Sequence, residues 1–92
     1  MSTVSARLQR RVAHDFPQPG SAEEVIRLLA AVSDSERVQV AIVFAANGDL
    51  RELQREAELA AVDWRDVLMN GDLAHDHWPG VLESQLGPDR TS

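Results

Sequence analysis

The sequence has no cysteine, no lysine and no tyrosine, and its only aromatics are two phenylalanines and two tryptophans. Without cysteine, disulfides, thiolate zinc sites and cysteine nucleophiles are excluded. No apolar run approaches the ~18 residues that span a bilayer, so a transmembrane helix and a membrane partner are excluded as well. The basic residues near the start are not followed by the apolar stretch of about 7–15 residues that a secretory signal needs, and the expected compartment is the cytoplasm. No G-x-S-x-G elbow or glycine-rich phosphate loop occurs. The five glycines, at positions 20, 48, 71, 80 and 87, all read as turns or caps. Acid–base carboxylate pairs would need a pocket, and so small a chain has little volume to form one. The expectation is a non-catalytic protein that needs no cofactor.

What is present is apolar and acidic. The chain has 92 residues, 43% of them hydrophobic, which suffices for one compact core and is too much for a disordered segment. All nine basic residues are arginines, set against fifteen acids for a net charge of −6. The distribution is uneven. Residues 1–14 hold Arg7, Arg10 and Arg11 and no acid, while the remainder holds six arginines and all fifteen acids. An acidic domain binds phosphates only through a segregated basic patch. Such a basic first segment reads either as an arm for a partner or as a helix packed beside its own acidic body. A recognition helix for DNA is not evident. Arg51, Gln54 and Arg55 stand among Glu52, Glu56 and Glu58, and no nucleic-acid partner is expected.

Periodicity predicts helices throughout. Val4, Leu8, Val12 and Phe16 are spaced four apart, a narrow apolar stripe on a basic amphipathic helix over 1–16. Pro17, Gln18, Pro19 and Gly20 form a stiff linker over 17–20. A helical body over 21–87 and a tail over 88–92 follow. Ser21 with Glu24 reads as a capping box ahead of Val25, Ile26, Leu28, Leu29 and Val32. Ser33 with Glu36 starts a third helix that is apolar nearly all round, and Asn47-Gly48 closes it. Such a helix is buried on every side, at the centre of a bundle or as one wall of a homodimer. Asp49, Asp63 and Asp76 then cap three more segments, with Pro79 in the first turn of the last. Asn47-Gly48-Asp49-Leu50 recurs as Asn70-Gly71-Asp72-Leu73, which reads as repeated corner chemistry. The fold class is all-α, a single small domain built as a bundle of five to six short helices.

Two sets of residues are candidates for function. The first is the stripe Val4, Leu8, Val12 and Phe16 with Arg7, Arg10 and Arg11, an amphipathic face for a protein partner or a second copy. The second is the polar cluster Asp72, His75, Asp76 and His77, whose imidazoles and carboxylates suit a divalent metal. No H-E-x-x-H spacing supports that metal site. Trp64 and Trp78, with Phe16 and Phe44, read as core anchors.

The segments Ser21 to Leu29, Glu36 to Leu53 (ERVQVAIVFAANGDLREL) and Asp63 to Leu86 (DWRDVLMNGDLAHDHWPGVLESQL) resemble a group of small Arg-rich helical proteins of high-GC, actinobacterial type, which have no assigned function. The resemblance covers about residues 10–87. It implies one all-helical domain and supplies no catalytic residues. The leading expectation is a non-catalytic protein-interaction module that binds a protein partner or itself. The alternative is a small-ligand or metal-binding domain using the histidine cluster.

Overall fold

A spacing of four in the first segment sets the register of a helix that can bury one edge only, and the rest of the chain provides the surface that receives it. The computed structural model describes residues 4–87. Five helices follow one another: α1 (Ala6–Asp15), α2 (Ser21–Val32), α3 (Glu36–Ala46), α4 (Leu50–Asn70) and α5 (Trp78–Leu86). No strand occurs among the described residues. The expected all-α single domain is what the chain forms. The tail expected at 88–92 lies outside the described residues.

Helix α3 is the centre of the bundle. Val38, Gln39, Val40, Ala41, Ile42, Val43 and Ala46 are all buried on it. Seven of its eleven residues are buried within the one chain, while Glu36, Arg37, Phe44 and Ala45 are partly exposed. The other helices lie around it, and the long α4 makes the most extensive contact. The expected fourth and fifth helices are joined in α4, with a break at Asp63, whose backbone is extended (φ −149°, ψ 91°). The cause is local. The Asp63 carboxylate accepts the Arg65 N–H at 3.1 Å, so the side chain caps a new helical start inside the old one.

Several caps differ from the sequence expectation. Asp49 caps α4 as expected, accepting from the N–H groups of Arg51 and Glu52. Ser21, by contrast, lies inside α2. Its cap is Gly20, left-handed at φ 83°, and it makes no side-chain bond. Ser35, not Ser33, caps α3 by accepting the Val38 N–H. Ser33 is already engaged as the last residue of the α2 turn, its N–H donating to the Leu29 carbonyl at 3.2 Å. At α5 the cap position falls to His77 rather than Asp76, and Pro79 sits in the first turn, where its missing N–H costs nothing.

The two Asn-Gly-Asp-Leu corners are chemically alike and structurally different. In the first, Asn47 and Gly48 are both left-handed and close α3. In the second, Asp72 takes the positive φ and Gly71 does not. Gly71 serves another purpose there. A Cβ on it would stand 2.5 Å from the Ala41 carbonyl oxygen and 2.6 Å from the Ala41 Cα. The chain therefore crosses the middle of α3 in backbone contact, which only glycine permits.

Candidate functional site

The N-terminal stripe is core. Val4, Leu8, Val12 and Phe16 are all buried in their own chain, Leu8 and Val12 completely. Helix α1 packs between α2 and α5. Burial of each such side chain is worth roughly 1.5–3 kcal/mol, so a stripe expected to face a partner is taken up in cis. Two of the three arginines expected on the arm are also used internally. Arg7 reaches the first turn of α3, where Nε and Nη2 donate to the two oxygens of Glu36, and its Nη1 donates to the Gly87 carbonyl at 3.1 Å. Arg11 pairs with Asp15 one turn on and lies 5.0 Å above the Phe44 ring. Arg10 is exposed.

The fold changes the titration of Glu36. The hydrogen bonds from Arg7 hold its pKa below the ordinary value, aided by the Ser5 hydroxyl at 2.6 Å and opposed by partial burial. Ser5 also caps α1 by accepting the Leu8 N–H, so one hydroxyl ties the start of α1 to the start of α3.

The polar cluster at 72–77 does not converge. The rings of His75 and His77 lie 6.0 Å apart, and Nδ1 of His75 accepts the His77 N–H at 3.1 Å. Asp72 occupies the left-handed corner and Asp76 points from an exposed turn. Among the described residues no three histidine or acidic side chains are placed to hold a metal ion.

What does converge is an apolar valley at the C-terminal end of α2. One part is a cleft of about 550 Å³, lined by Val32, Val38, Ala60, Leu68 and both tryptophans. Trp64 is 49% exposed there, which corrects its reading as a core anchor, whereas Trp78 is half-buried and packs against the core as expected. Trp64 follows the break at Asp63 directly, and the new helical start turns its ring away from the core. The polar groups around this cleft are already engaged: Ser33 and Ser35 in backbone caps, Glu36 with Arg7. Arg37 lies 4.9 Å above the Trp78 ring while donating twice to the Leu73 carbonyl, which fixes the loop before α5. The second part of the valley is an open groove of about 590 Å³ between α2 and α4, meeting the cleft at Val32.

The sequence did not single out Gln39 or Arg37. Gln39 is buried, and its amide donates to the Ser33 carbonyl at 2.6 Å and to the Leu29 carbonyl at 3.4 Å, satisfying the end of α2. Its signal was available, since a lone amide in an otherwise apolar helix needs a buried partner. Arg37 had no such signal, because its acceptor lies 36 residues away.

No helix among the described residues is long and apolar enough to cross a membrane. No protein-family model matches the chain, and neither the curated proteins nor the solved structures provide a match.

Proposed function

We propose that this chain is a small, cytoplasmic, non-catalytic protein-interaction module whose contact surface is the cleft between Trp64 and Trp78. The observation that carries the reading is the half-exposed Trp64, set at the rim of a cleft floored by buried Val38, Ala60 and Leu68. Tryptophan and arginine dominate the few positions that supply most of the energy of protein interfaces, and they do so over apolar floors of this kind. The partner that fits is a protein segment presenting an apolar anchor side chain. The polar groups lining the cleft are held in caps and an ion pair, which favours binding over chemistry. The basic arm is not the contact in this reading, because its stripe is buried.

The test is capture from source cytosol at low salt, with bound proteins identified by mass spectrometry, for the native chain and for Trp64→Ala. The native chain retains a stoichiometric foreign protein. The variant loses it at least tenfold, as removal of a central interface tryptophan commonly costs ~2 kcal/mol or more. Equal capture by both, or recovery of nothing but the chain itself, overturns the reading.

A further inference from the structure

The groove between α2 and α4 has a different character from the tryptophan cleft. Each wall presents four positions at i, i+3, i+4 and i+7, the spacing with which a helix face receives another helix. On α2 these are Glu24, Arg27, Leu28 and Ala31, and on α4 they are Gln54, Ala57, Glu58 and Ala61. The floor is apolar and the α4 wall is low, because two of its four side chains are alanine. Val32 at the end of α2 also lines the neighbouring cleft with Ala60 and Trp64, which lie farther along α4, so the two walls advance in the same sense. Arg27 and Glu58 stand on opposite walls of this groove.

The charges on the rim are open. Arg55 pairs with Glu52 at 3.0 Å, leaving Glu58 out, and neither Arg27 nor Glu58 takes part in a salt bridge among the described residues. A two-fold axis lying in the face and parallel to the helices sets α2 of one copy over α4 of the other. It brings Arg27 against Glu58 of the second copy, and the same pair recurs on the other side of the axis. A cation on one wall and an anion on the other is the pattern an isologous contact needs.

We infer that the α2–α4 groove is covered by the same groove of a second copy, giving a symmetric dimer with a four-helix seam. The inference rests on the reading of this chain as an interaction module and names the partner for its second surface. The tryptophan cleft stays outside the seam.

The experiment is sedimentation velocity over a wide concentration range, with circular dichroism as a check of folding. The native chain sediments as a dimer. Arg27→Glu and Glu58→Arg each raise the dissociation constant at least tenfold while helicity is kept, and an equimolar mixture of the two recovers the dimer through the reversed pair. Arg10→Glu, a charge reversal away from the groove, leaves the dimer intact. A native chain that stays monomeric throughout, or a dimer indifferent to both groove variants, overturns the inference. Capture through Trp64 is read separately, so a monomer that still loses its foreign partner in Trp64→Ala would sink the dimer alone.

Discussion

The guanidinium of Arg7 meets the carboxylate of Glu36 side-on, Nε to Oε2 at 2.7 Å and Nη2 to Oε1 at 2.6 Å, joining residues 29 apart in the chain. The Arg7 side chain is only 10% exposed, so its charge depends on this partner and on the Gly87 carbonyl. Arg7→Ala is expected to cost ~1–3 kcal/mol, after allowing for the water that reaches Glu36. The folded-state pKa of Glu36 lies below its ordinary value of 4.5, so the pair contributes fully above that value and is lost as pH falls through the lowered one. In urea titrations from neutral pH downward, the stability difference between native and Glu36→Gln chains should shrink once the pH falls below 4.5. A difference that stays constant with pH would contradict the assignment.

Gly71 and Gly80 make opposite predictions from one substitution. At Gly71 an added methyl meets the backbone of Ala41 at 2.5–2.9 Å, and neither chain can yield easily. Gly71→Ala is expected to destabilise by ~1–3 kcal/mol or more. Gly80 lies inside α5, and a methyl added there would meet nothing within 4 Å, so Gly80→Ala is expected to stabilise by ~0.5–1 kcal/mol. Thermal melts of the two variants, read side by side, give the sign of each.

Gln39 holds the end of α2. Gln39→Leu preserves much of the volume and removes the donor, leaving the Ser33 carbonyl without its 2.6 Å bond. The expected cost is ~1–3 kcal/mol. Amide exchange should quicken in the last turn of α2 and the Ser33 corner before it changes in α4. Uniform quickening across the bundle would mean the side chain acts only as filler.

The helices were legible because each carries its own 3.6-residue period, and the burial of α3 followed from an apolar circumference with no wet side. Asp49 and Asn47-Gly48 were legible too, since a cap and a left-handed corner depend on neighbours in sequence. Ser33 and Ser35 were not separable, because both offer a hydroxyl and only the end of α2 decides which is free. The contact of Gly71 with Ala41 and the hold of Arg37 on Leu73 are meetings of distant segments, which no local pattern encodes. Trp64 misled for a related reason. Its apolar ring signals burial, but the extended backbone at Asp63 resets the helical phase just before it. The stripe on α1 signalled an apolar surface correctly and could not say whose surface would cover it.

That stripe yields a contrast with the tryptophan rim. Leu8 is fully buried, and Leu8→Ala is expected to cost ~2–5 kcal/mol. Removal of residues 1–16 uncovers α2 and α5 and should abolish the cooperative unfolding transition. Trp64→Ala, at a half-exposed position, should cost less than Leu8→Ala in the same denaturation series. A truncated chain that melts cooperatively at the native temperature would show that α1 is a detachable arm.

The most direct test of the account sets the open face against the basic arm in one capture experiment. Native chain, Trp64→Ala and Arg10→Glu are immobilised in parallel and exposed to the same cytosol, after circular dichroism has shown equal helicity. Loss of the bound protein in Trp64→Ala, with retention in Arg10→Glu, is the predicted result. Retention in Trp64→Ala with loss in Arg10→Glu would place the contact on the N-terminal helix and contradict the account.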